Sequence, residues 1–265
     1  MSAPWRMCIA MVLVGTTSAA RLPDVLALRG GALTREEIVA KLNRVPTFAI
    51  VDGEERVLPI TTESGADICW FTDAAEAQEL LELTKAANPD VAVHLAVTPL
   101  GEAFIKCNGW PDAEDGEEAE GASYVAGKLK IRGTRKVVDA NAEALQQQQR
   151  AQGITPGAWV LPVYCHDDFQ TPQMMPLFFS AADLQAGWLR SGRAADAVPE
   201  NLPVMELRVL VKQMAETDVF DWKIFTFVSS EAAYALAQEL ITSRKEEQGD
   251  GEAEEDETDD DEVLD

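Results

Sequence analysis

Trp70-Phe71-Thr72-Asp73 runs from a short apolar strand into a helix start, and 108 positions later Phe178-Phe179-Ser180-Ala181 does the same. Upstream, Val45-Pro46-Thr47-Phe48 is echoed by Leu161-Pro162-Val163-Tyr164. The matching positions are apolar or helix-capping and neither copy holds a reaction centre, so the repeat points to a surface that holds something rather than to catalysis.

Outward from these two anchors the periodicities agree. In the first copy a strand covers Val45 to Val51 and a turn follows at Asp52-Gly53, with short strands at Val57 to Ile60 and Ile68 to Phe71. Asp73-Ala74-Ala75-Glu76 reads as a capping box, Val91 to Val97 as a strand, and Thr98-Pro99 as a helix opening with Thr as cap. A strand from Tyr124 to Arg132 and a helix from about Val137 to Arg150 complete the copy. In the second copy the strands are Trp159 to Tyr164, Met175 to Phe179, Val204 to Glu206 and Trp222 to Val228. Its helices cover Ala182 to Leu189, the stretch around Leu207 to Met214, and a last one carrying Ala233, Leu236 and Leu240. Each half is strand, strand, helix, strand, helix, strand, helix, an α+β fold of two pseudo-symmetric halves. Phe71 aligns with Phe179 and Ile131 with Ile224 on this reading.

Residues 1–20 have the layout of a secretory signal peptide: Arg6, an apolar stretch from Met7 to Val14, and small residues before a cut between Ala20 and Arg21. Residues 21–33 form a leader or linker, 34–152 the first half with an acidic loop at 111–120, 153–245 the second half, and 246–265 a disordered acidic tail. The net charge is −24, yet the tail holds 13 acidic residues and Asp112 to Glu120 six more, which leaves about −5 for the body. Nucleic acid is a poor partner for such a surface. Nowhere is an apolar run long enough to span a bilayer.

Few residues offer chemistry. Cys165-His166-Asp167-Asp168 gathers nucleophile, base and acid types, but neighbours on a strand face opposite ways and Cys69, Cys107 and His94 lack ligand spacing. Catalytic, metal and cofactor sites are therefore all assigned as none. Lys128, Lys130 and Arg132 alternate with Leu129 and Ile131, so the cations share one strand face. That face is either plainly solvated or a dock for anionic lipid headgroups or the protein's own acidic segments.

Val45-Pro46-x-Phe48, Trp70-Phe71-Thr72, Trp159-Val160-Leu161-Pro162-Val163, the run Met175-Pro176-Leu177-Phe178-Phe179-Ser180-Ala181-Ala182-Asp183-Leu184, and Val211-Lys212-Gln213-Met214 followed by Asp221-Trp222 together resemble the twenty-two-kilodalton Tic family. These are soluble intermembrane-space proteins of the chloroplast inner-envelope translocon. The resemblance covers roughly Leu42 to Leu240 and implies two halves packed with an apolar groove and no catalytic residues. It implies a chaperone-like carrier whose partners are preproteins with their targeting peptides and translocon subunits, with peripheral contact to the envelope membrane. A non-catalytic structural subunit docked on a plastid membrane complex is the alternative. The signal peptide suits a complex algal plastid reached through the secretory route. Trp70, Trp159, Phe178 and Trp188 are the candidate client-contacting residues, though each also fits a plain core position. Lys128, Lys130 and Arg132 are the candidate docking residues.

Overall fold

Pro46–Asp52 is buried along almost its whole length, so both faces of the strand must be covered, and the same holds for the second-half strands Pro162–Tyr164 and Met175–Phe178. The computed structural model describes residues 31–62, 65–112, 128–198 and 202–249. The signal peptide with its Ala20–Arg21 cut, most of the leader, the acidic loop from residue 113, the strand onset at Tyr124 and the tail from residue 250 lie outside the described residues.

In chain order the elements are α1 (Arg35–Leu42), β1 (Pro46–Asp52), β2 (Ile60–Thr62), β3 (Gly65–Phe71), α2 (Ala74–Ala87), β4 (Val93–Pro99), α3 (Leu100–Lys106), β5 (Lys128–Arg132) and α4 (Arg135–Ala151), then β6 (Pro162–Tyr164), β7 (Met175–Phe178), α5 (Ala181–Arg190), β8 (Val204–Glu206), α6 (Leu207–Glu216), β9 (Phe225–Val228) and α7 (Glu231–Gly249). The fold is α+β with two sheets.

One sheet runs β4-β1-β3-β5 with β2 as a short arm on β3, and the other runs β8-β6-β7-β9. In each, the first three strands are antiparallel neighbours and the last pair is parallel. Phe48 stands opposite Phe71 as Tyr164 stands opposite Phe178, and Pro46 opposite Pro99 as Pro162 opposite Glu206. Strand pairing therefore sets Phe71 against Phe178 and Ile131 against Phe227, where motif likeness had chosen Phe179 and Ile224. A one-residue slip would turn every side chain of the strand to the other face, so the ladders decide.

The inner faces of both sheets close on one core. Ala49, Ile68, Trp70 and Ile131 from the first sheet meet Val163, Leu177 and Phe227 from the second, with α1, α3 and α6 contributing Ile38, Leu42, Phe104, Leu207 and Val211. The outer faces are roofed crosswise. Helix α7, from the second half, packs on β1 and β4 beside α2, and its Ala233, Leu236 and Ala237 cover Phe48, Ile50 and Leu95. Helix α4, from the first half, packs on β6 and β8, where its Val137 joins Tyr164, Phe178 and Leu184. Each half thus lends its last helix to the other's sheet.

Local chemistry explains where elements begin. Thr34 and Glu37 form a reciprocal capping box on α1. At α2, Asp73 accepts from the backbone N–H groups of Ala75 and Glu76, but the box is not reciprocal. The Glu76 carboxylate instead accepts the Arg135 N–H at 2.5 Å, and Asp73 accepts the Thr134 hydroxyl at 2.6 Å. Two helix starts are thereby tied together. Strand β4 continues through Thr98 and Pro99, and α3 opens at Leu100, whose N–H donates to the Val45 carbonyl at 2.8 Å. Sheet pairing outweighs the Thr-Pro helix signal there. Trp222–Ile224 is a single 3-10 turn ahead of β9 rather than strand. Helix α7 runs on past Glu246, the residue at which composition places the start of the tail.

Candidate functional site

The four aromatics expected to face a client are buried: Trp70 is 0% exposed, Trp159 7%, Phe178 4% and Trp188 3%. They are not gathered in one groove. Trp70 and Trp159 belong to the shared central core, Phe178 lies under the roof of the second sheet, and Trp188 packs edge-on against His166 and Phe169. Native side chains fill the space between the halves, because apolar strand faces on both sides find α1, α3 and α6 before they find a client. At these four positions the side chains are packed in the core.

The basic strand has the predicted facing, with Ile131 buried and Leu129 packed on the central core. Its cations are only partly free for docking. The Lys130 ammonium bonds the 3%-exposed Asp67 carboxylate at 2.6 Å, and the Arg132 guanidinium lies 5.6 Å from the Phe71 ring centre. Lys128 alone of the three is exposed. Lys130, Arg132 and Arg135 line a cavity of about 210 Å³ together with Asp67 and Asp139.

In the Cys165-His166 pair, His166 has a structural contact. The His166 ring nitrogen Nδ1 accepts the Asp168 N–H at 3.2 Å and caps the turn Asp167–Phe169. Burial pushes the Cys69 thiol up and the Cys107 thiol well up, away from the thiolate that reactivity needs. Among the described residues no group of three or more His, Cys, Asp or Glu could hold a metal, and no helix is long and apolar enough to cross a membrane.

What the sequence did not single out is the outer margin of the first sheet. Strand β4 ends that sheet and pairs only with β1 among the described residues. Leu100 donates to Val45, so alternation along the ladder turns the N–H and C=O groups of Val93, Leu95 and Val97 outward. The second sheet closes its margins with side chains. Gln148 donates to the Val204 carbonyl at 3.0 Å and accepts from the Glu206 N–H at 2.9 Å, while the Lys41 ammonium donates to the Phe225 carbonyl at 2.8 Å. No such cap reaches β4 from the described residues. Beside it, the face carrying Ala49, Val51, Trp70 and Ala96 floors a cleft of about 740 Å³, walled by Val57, Leu58 and Pro59 and rimmed by Asp52, Glu55, Lys106 and Arg244. Margin status is set by long-range pairing, so only the apolar length of Val91 to Val97 hinted at it.

Among solved structures, Tic22 from Plasmodium falciparum matches 78% of this chain and 98% of its own length, with a TM-score of 0.51 at 15% identity. The fold is that of Tic22. Anabaena Tic22, a protein of protein transport, matches 80% of this chain and 97% of its own at a TM-score of 0.48 and 15% identity. No family model and no curated protein matches the sequence. The Tic22 likeness spans nearly all of the Plasmodium protein, so it covers both sheets and not one half alone.

Proposed function

We infer that this chain is a plastid protein import factor: a soluble, chaperone-like carrier of preproteins between the outer and inner envelope translocons. Its place of work is the intermembrane space of a plastid reached through the secretory route. The observation that carries the reading is the seven-residue margin strand β4, whose outward backbone groups meet no partner among the described residues. An extended client adds there as a further strand. Main-chain hydrogen bonds give affinity without regard to sequence, which a carrier of many preproteins requires. The likeness in fold to Tic22 supports the same reading.

The test is hydrogen exchange with a saturating extended presequence peptide. The amides of Val93, Leu95 and Val97 slow on binding, and Val97→Pro, which removes one outward donor and keeps the β1 ladder, weakens the peptide about fivefold. Unchanged exchange at these three amides under saturation refutes strand addition. Equal suppression of client aggregation by an inert protein of the same net charge refutes the carrier role.

A further inference from the structure

Among the described residues, three of the four buried indoles donate a hydrogen bond: Trp159 to the Cys107 carbonyl at 3.0 Å, Trp188 to the Ala194 carbonyl at 3.0 Å, and Trp222 to the Thr217 carbonyl at 2.8 Å. Trp70 does not. It is 0% exposed and its indole N–H meets no acceptor. Buried donors are almost always satisfied, so an orphan of this kind marks a place where an acceptor belongs. Trp70 lines the cleft over β1 and β4.

The rim supplies a second signal. Asp52 is committed to Arg56 at 2.7 Å, and Glu55 to Arg244 at 2.7 Å and His94 at 3.2 Å. Lys106 has no carboxylate partner among the described residues, and its ammonium stands 5.9 Å from the Trp70 ring centre. The indole with the unsatisfied N–H and the cation above its ring therefore both line one cleft, together with the apolar Ala49, Val51 and Ala96. The volume, about 740 Å³, falls in the range of small-molecule sites.

We propose that this cleft binds an apolar chain that ends in a carboxylate, with the carboxylate accepting from Trp70 and pairing with Lys106 while the chain lies on the β1 and β4 face. An ionised carboxylate accepts only, so one such group meets both needs at once. Two donors suit a singly charged carboxylate better than a phosphate, whose three oxygens would ask for more. The site stands on Trp70 and Lys106 and does not depend on preprotein binding at the β4 margin.

Titration of the full-length protein with dodecanoate and with dodecanol, both kept monomeric, tests it by calorimetry. Dodecanoate binds, dodecanol binds at least about tenfold more weakly, and Lys106→Met lowers dodecanoate affinity about tenfold while leaving dodecanol unchanged, as loss of one charge-assisted contact requires. Lys106 is half-buried at a helix end, so this variant keeps the core intact. Trp70→Phe, which removes the indole N–H and keeps an aromatic ring, abolishes the ligand-induced change in tryptophan emission. A short apolar peptide with a free C-terminal carboxylate forms a third arm, and tighter binding than dodecanoate identifies a chain terminus as the natural source. Equal affinity for acid and alcohol, or a Lys106→Met protein indistinguishable from its parent, overturns the proposal.

Discussion

Replacing Glu206 with glutamine will remove most of a pH dependence built into the second sheet. Glu206 is 0% exposed, ends β8 and caps α6, with one carboxylate oxygen accepting from Leu161 N–H at 3.4 Å and the other from Val209 N–H at 3.1 Å. Burial, the dominant influence, pushes its carboxyl from the usual 4.5 up to about 7. The folded value is raised, so below pH 4.5 the group is neutral in both states and costs nothing. Between 4.5 and about 7 the unfolded chain gives up the proton while the folded protein keeps it, and stability falls as pH rises. Above about 7 the penalty is constant, at roughly 3 kcal/mol for a shift of this size. Glutamine cannot titrate. It also offers one acceptor oxygen instead of two, which costs about 1 kcal/mol at every pH. Urea unfolding of both proteins from pH 4 to pH 9 separates the two effects, because only the first changes along the series. The stability difference should move in favour of Glu206→Gln by about 3 kcal/mol between pH 4 and 8, then level off. Parallel stability curves across that range would refute the assignment of Glu206 as a buried, proton-holding acid.

Two further perturbations probe packing. A Cβ at Gly101 would stand 2.7 Å from the Val39 carbonyl, so Gly101→Ala should push α1 off α3 and cost about 1–3 kcal/mol by thermal or urea unfolding. Leu236→Ala on α7 should cost about 2–4 kcal/mol, and its signature is faster hydrogen exchange in β1 and β4, strands of the other half.

The order of elements was legible in the sequence because strand and helix periods are local. Phe48 and Ile50 alternate with Thr47 and Ala49, and Leu207, Leu210, Val211 and Met214 recur at helical spacing; both segments adopt the expected form. The helix starts at Asp73 and Ser180 were legible for the same reason. What failed was long-range. Nothing near Glu76 in sequence announces that Arg135 will take its carboxylate, and nothing near Trp159 says that its indole will reach the Cys107 carbonyl and seal the space between the sheets. The aromatics looked like a surface because composition alone does not tell an apolar lining from an apolar core. The cleft went unseen because its two polar markers, Trp70 and Lys106, are far apart in the chain and meet only through the packing of β3 beside α3. The basic strand was read with the right facing, yet Asp67, which occupies Lys130, stands on a different strand.

The crosswise roofing by α4 and α7 has a consequence for how the polypeptide is delivered. A chain that emerges from a ribosome or a pore with its N-terminus leading presents Phe48, Ile50 and Leu95 long before Ala233, Leu236 and Ala237 arrive to cover them. The outer face of the first sheet therefore waits, half-clad, for the chain's final helix. A cut between residues 152 and 153 would leave each fragment holding the helix that roofs the other's sheet.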